Sequence, residues 1–468
     1  MQNFTKRVSH RPIENLNYTH TGELIMLGST ITSEGSNAYK SNSSIEQDHR
    51  RQGDLVVEGF KSLVRKYHPY GRRDAYPRSI QGTLSVDQVN LKMDSLNQLP
   101  TNLLSLGQQM ISLVRSLMGD QLISDPSSAL KLIGNIQPTL DKSMKQIQSA
   151  LCVICPKPLP SPLTRNNDQH SKEFKSFRMD RLHQLIRKKS IMGLIRVCNK
   201  SYELIQQLEL STEKYEGPID VLFARRILID YASEFVEGLV STRTWLFKSE
   251  FDLVQHAWPL QTDKLDEQLE ELLCLTNLTS NKEEDGSIES GPLSKPVIQL
   301  SKSLIPIFKL SRLFFKKLSK RGMNMKKLPF TELRSDQLEF LSESSANVHN
   351  HVKEILELLE TSHAVDARFI RDCLIQRADK IDCIFETASS LIHIYIVPHV
   401  PDTDGFPVQN YYRSWLISWR TQFSLAMQHL TDAPKLLENP GLESPNSSSS
   451  FLDLPFNQLS IAEGNQQQ

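Results

Sequence analysis

Residues 294–322 read SKPVIQLSKSLIPIFKLSRLFFKKLSKRG. Lys295, Lys302, Lys309 and Lys316 recur every seven residues, which places them along one face of a helix. Val297, Leu300, Leu304, Ile307, Phe308, Phe314 and Leu318 follow the three-and-four spacing of a buried seam. Ser294 followed by Pro296 reads as a helix start, and Gly322 after Lys320 and Arg321 as its stop. Pro306 inside the pattern predicts a kink. A long helix with so wide an apolar face needs helical neighbours to cover it.

The flanking sequence supplies them. Residues 86–118 carry the seam Leu103, Leu106, Met110 and Leu113, with an interruption expected at Pro100. Asp125 followed by Pro126 reads as the next helix start. Helical patterns then cover 171–210, 218–251 and 262–275, and later 333–359, 364–397 and 408–433. Only 391–397 is apolar enough for strand to compete with helix. The expected fold class is all-α, two helical bundles in series of about four helices each, with disordered termini. The expected domains are a disordered segment 1–50, a first bundle 51–278, an acidic linker 279–293, a second bundle 294–435 and a disordered tail 436–468.

The second core seam is expected to run through Leu300, Leu304, Phe308 and Leu356. Two similar runs, Arg243-Thr-Trp245-Leu246 and Arg413-Ser-Trp415-Leu416, each lie on the last long helix of their half. They raise a duplication as one reading and two unrelated amphipathic helices as the other, with both tryptophans packed on their bundles.

Composition bounds the function. At 468 residues the chain exceeds the roughly 250–300 at which a single core stops growing. A formal net charge of zero removes any chain-wide attraction to nucleic acid or anionic membrane. Six cysteines without regular spacing point to a reduced setting. The first residues lack a signal-peptide pattern, and no run of 18 apolar residues predicts a membrane span. The expected location is therefore the cytoplasm, with the nucleus as second setting, and not secretion.

Motifs with chemical potential read as architecture. Cys152-Val-Ile-Cys155 ends a helix, where the dipole disfavours a thiolate, and has no second ligand pair for zinc. Two E-x-x-H matches, Glu46 with His49 and Glu360 with His363, fall outside core helices. The run 401–407, PDTDGFP, reads as an Asp/Gly turn rather than a calcium loop. His349 and His351 lie two apart on a helix and cannot chelate one ion together. Tyr67, Tyr70, Arg72 and Arg73 read as a solvated loop. No catalytic residue, cofactor, metal or small-molecule substrate is predicted, and the chain reads as a non-enzyme.

What remains is the basic face. Lys302, Lys309, Arg312, Lys316, Lys317, Lys320 and Arg321 form the candidate binding patch. The following helix carries Glu332, Asp336, Glu339, Glu343, Glu354, Glu357 and Glu360, so the two helices are expected to be complementary neighbours. The functional expectation is a protein-interaction or scaffold module of unknown partner. The alternative is a peripheral binder of anionic membrane surfaces through 294–321; nucleic acid is the least favoured partner.

The runs KPVIQLSKSLIPIFKLSRLFFKKLSKRGMN (295–324) and PDTDGFPVQNYYRSWLISW (401–419) resemble an uncharacterised, expanded helical family of rust fungi. The resemblance covers about residues 55–435 and implies no activity, ligand or catalytic residue. In layout alone, two bundles in series are also similar to cyclin-D-interacting helical proteins and vinculin-like bundles.

Overall fold

The computed structural model describes residues 36–68, 86–155, 167–280, 295–319, 323, 330–361, 367–402 and 405–438. Among them there is no β-strand, and the fold is two helical domains in series. The helices are α1 (Ser36–Tyr67), α2 (Val86–Met118), α3 (Gln121–Ser124), α4 (Pro126–Ile154), α5 (Ser176–Leu185), α6 (Met192–Gln207), α7 (Val221–Phe247), α8 (Glu250–Val254), α9 (Trp258–Ser280), α10 (Lys295–Leu318), α11 (Ser335–Glu360), α12 (Ala367–Leu391) and α13 (Val408–Glu438).

Local chemistry sets several boundaries. Asp125 accepts from the Ser128 amide at 3.2 Å with Pro126 in the first turn, and Asp220 accepts from Phe223 at 2.9 Å. The 218–251 pattern is two helices. Lys248 is extended, and a reciprocal cap between Ser249 and Asp252 opens α8. The interruption expected at Pro100 is not seen, α2 running through it, and α10 likewise continues past Pro306. The expected disordered segment 1–50 is helical from Ser36, because an amphipathic helix propagates into a polar stretch once nucleated. Residues 1–35 and 439–468 lie outside the described set, as do 281–293 of the expected linker.

The first core joins α2, α4, α6 and α7, with Leu103, Leu106, Met110 and Leu113 buried. The second joins α9 to α13, with Leu300, Leu304, Phe308 and Leu356 buried. At its centre Phe314, Phe385, Trp419 and Phe423 form edge-on and stacked ring pairs with centroids 4.7–5.1 Å apart. Trp245 and Trp415 are both buried, each on its own domain.

The domain boundary differs from the sequence expectation. Phe251, Trp258, Leu265, Leu269 and Leu272 fall within the expected first bundle, 51–278, yet all pack into the second core. The Trp258 indole donates to the Leu341 carbonyl at 3.1 Å, fixing α9 against α11. The junction therefore lies near Lys248, ahead of α8 and α9.

The run 391–397, ambiguous between strand and helix, is a π-turn (Ile392–Ile396) that extends α12. Together they are the one described helix long and apolar enough to cross a membrane. Ile370, Leu374, Ile381, Phe385, Ile392 and Ile396 nevertheless face the second core, as a core helix requires.

Candidate functional site

The basic face of α10 does not survive as one patch. Arg312 and Lys316 both reach Asp266 of α9, at 2.5 and 2.6 Å. Among the described residues the acidic partner is thus on α9, whereas sequence pointed to the glutamates of α11. α10 packs mainly on α9 and α13, and Lys316 is the member of the stripe that reaches α9. Lys317 is buried with its ammonium 4.9 Å over the Tyr411 ring. Lys302 is exposed and Lys309 half-buried, and neither meets a carboxylate among the described residues. Lys320 and Arg321 lie outside them.

The other motifs are placed as follows. The Cys155 thiol donates to the Met179 carbonyl at 3.5 Å, and burial pushes its pKa up to about 12. Tyr67 is buried and donates to Asp141 at 2.7 Å, which takes it out of any stacking surface. His349 meets Gln268 and His351 meets Glu354, each through its own partner. Asp402 accepts from the Gln409 amide at 3.0 Å, closing the turn before α13. His363, Tyr70, Arg72 and Arg73 lie outside the described residues. Among the described residues no three His, Cys, Asp or Glu side chains are placed to hold a metal ion.

The basic run 172–200 contributes two buried cations at the domain junction. Lys175 Nζ sits 2.8 and 3.0 Å from the two Glu250 oxygens and donates to the Thr331 carbonyl at 2.6 Å. Glu250 Oε2 also accepts from the Thr331 amide and hydroxyl, at 3.0 and 2.6 Å. Beside this pair Asp168 accepts from the Ser176 amide and from both the amide and hydroxyl of Ser335, at 2.8, 2.9 and 2.5 Å. Arg178 donates to the carbonyls of Lys248 and Leu246 and stacks over Phe330 at 5.5 Å. Burial lowers its pKa, opposed by Glu250 and Glu173.

This junction floors one end of a groove that sequence reasoning missed. A cleft of 570 Å³ lies between Met93, Asn97 and Pro100 of α2 and Arg243, Trp245 and Phe247 of α7. Beyond it the two helices pack together, and a Cβ on Gly107 would stand 3.6 Å from a Leu239 methyl, in ordinary contact. On α7, Leu222, Ile229, Val240 and Phe247 are 80%, 46%, 59% and 56% exposed. At 100° per residue they fall within about 20° of one line, with half-buried Val236 about 40° from Leu222. On α2, Leu104 and Ile111 are exposed, about 40–60° around the helix from Gly107, which faces Leu239. The exposed side of α7 mixes apolar with charged residues, so its apolar line does not stand out in the sequence. The seven-residue recurrence of Leu222, Ile229 and Val236, resumed by Val240 and Phe247, was the available signal.

Comparison with known families describes the same two units. Residues 249–432 match the model of a domain of unknown function (DUF8721). Residues 92–247 match that of a second domain of unknown function (DUF8723). The two matches meet at Lys248, where the cores divide. No curated protein and no solved structure matches the chain.

Proposed function

We propose that this chain is a non-enzymatic scaffold module whose two domains act as one body and hold a protein partner in the α2/α7 groove. The observation that carries the reading is the line of exposed Leu222, Ile229, Val240 and Phe247 on a helix whose opposite side is already in the core. An apolar line of that length on a folded surface is characteristic of a protein-binding face. The bonds joining Lys175 and Asp168 to Glu250, Thr331 and Ser335 support the single-body part of the proposal. The proposed setting remains cytoplasmic, in keeping with six free cysteines.

The alternative, an anionic membrane surface under α10, retains Lys302 and Lys309 as the cations that meet no carboxylate among the described residues. Each cation near such a surface contributes roughly 1 kcal/mol, so among the described residues this pair supplies about 2 kcal/mol. The 295–324 and 401–419 signatures support descent within an expanded rust-fungal family.

The test is quantitative co-purification of the full chain against its Val240→Glu variant from the native cells. The reading expects one or more proteins recovered with the unaltered chain and depleted at least tenfold with the variant. Equal recovery of every protein by both would refute it.

A further inference from the structure

The groove also carries a charge pattern, and this inference rests on the protein-docking reading above. Measured from Leu222 at 100° per residue, Arg225 and Arg243 both lie about 60° toward α2, between the apolar line and Leu239. Asp230, Glu234 and Glu237 lie about 60–120° to the other side. That other side faces α6, where Glu234 pairs with Arg196 at 3.0 Å. Across the groove, α2 has no acidic residue between Leu96 and Met118, and its one cation there, Arg115, is exposed near Ile111. The groove is therefore apolar along its floor and cationic along its length, from Arg115 and Arg225 at one end to Arg243 at the other. Lys248 and Arg178 line the cleft together with Glu173 and with Glu250, which Lys175 neutralises.

Arg225 adds an independent observation. Its Nε and Nη2 are buried without an acceptor. An unsatisfied guanidinium donor is costly, and an incoming carboxylate would relieve it after a small rotation of this half-buried side chain.

We propose that the occupant of the α2/α7 groove is an acidic amphipathic helix of a partner protein. Its apolar seam would cover Leu104, Ile111, Ile229, Val236 and Val240, and its flanking Asp or Glu side chains would meet Arg115, Arg225 and Arg243. The seven-residue recurrence on α7 is the spacing that such a helix matches along its own seam. The cations supply direction and selectivity, and the apolar floor supplies most of the affinity.

The test uses the full chain and two fluorescent 21-residue peptides with the same leucine seam, one flanked by Glu and the other by Lys. Anisotropy titrations at low and high salt should show the Glu peptide binding at least tenfold more tightly than the Lys peptide, with salt reducing the difference. Val240→Glu should weaken the Glu peptide at least tenfold. The doubly substituted Arg115→Glu, Arg243→Glu chain should lose the preference while its circular dichroism melt stays unchanged, since both side chains are exposed.

Equal binding of both peptides, preference for the Lys peptide, or binding of neither overturns the acidic-helix assignment. The co-purification result stands or falls separately, so a protein partner of different chemistry would be recognised as such. A dimer in light scattering that Val240→Glu abolishes would assign the face to a second copy of the chain. Binding to anionic vesicles that Val240→Glu abolishes would assign it to a membrane. Either result overturns the proposal.

Discussion

Lys175, just before α5 in the first domain, and Glu250, the first residue of α8 in the second, face each other at 2.8 Å with neither side chain exposed. The pair crosses the boundary between the cores and ties both to Thr331 ahead of α11. Removing one partner leaves a buried charge uncompensated, which costs roughly 3–5 kcal/mol. Lys175→Met is therefore expected to lower the urea midpoint strongly and to separate one unfolding transition into two. The double variant Lys175→Met, Glu250→Leu should recover much of the loss. A single variant as stable as the parent would contradict the linkage.

Trp245 near the end of α7 and Trp415 early in α13 are both buried. Replacing either by Ala should cost ~3–5 kcal/mol, the range for deleting a large buried side chain. Thermal melts check this, and an unchanged midpoint would contradict the placement. The indole nitrogens of both lack an acceptor, so packing rather than hydrogen bonding is the source of the effect.

Much of this was legible in the sequence. Periodicity placed the core seams of α2 and α10 correctly, and Asp125 with Pro126 marked the start of α4. The domain junction was not legible, because a soft acidic stretch at 279–293 looks more like a linker than the single extended residue Lys248 does. The charge partner of α10 was misread for a related reason. Several glutamates on α11 outweigh one Asp266 in a count, but helix adjacency, not count, decides which charges meet. The docking groove was hidden because an apolar residue carries no mark of which way it faces on a helix whose exposed side mixes apolar and charged residues.

The cysteines should divide by reactivity. Burial raises the thiols of both Cys155 and Cys198 to about 12, with Asp180 adding to the effect at Cys155. Cys274 and Cys383 are exposed. Iodoacetamide at neutral pH should modify Cys274 and Cys383 in the native protein and spare Cys155 and Cys198 until denaturant is added, as mass spectrometry of the digest would show. Labelling of Cys198 at the rate of Cys383 would contradict its burial.

Asp141 makes stability depend on acid. Desolvation raises its pKa, but hydrogen bonds from Lys66, Lys145 and Tyr67 outweigh that and bring it down to about 2. A carboxylate depressed in the folded state stabilises above its unfolded value of 3.8, and the contribution is lost as pH falls toward 2. The half-open site screens the interaction, so the contribution is on the order of 1 kcal/mol. Asp141→Asn should lower stability at pH 6 and flatten its fall between pH 4 and about 2. Parallel acid profiles for the two proteins would contradict the assignment.

Gly53 lets α1 pass against the turn after α6. A Cβ there would stand 1.6 Å from the Leu210 carbonyl oxygen, so backbone would have to move. Gly53→Ala should destabilise by about 1–3 kcal/mol despite its gain in helix propensity. A stabilised variant in urea melts would contradict that approach.

The most direct test of the docking surface is site-specific photocross-linking in the native cells from position 240 on α7, with exposed Ser418 on α13 as the control position. The account predicts discrete higher-mass adducts with a partner protein from position 240 that disappear when Leu222 and Phe247 are both changed to Glu, and none of the same mass from position 418. Adducts of equal yield from both positions, or none from position 240, would contradict it.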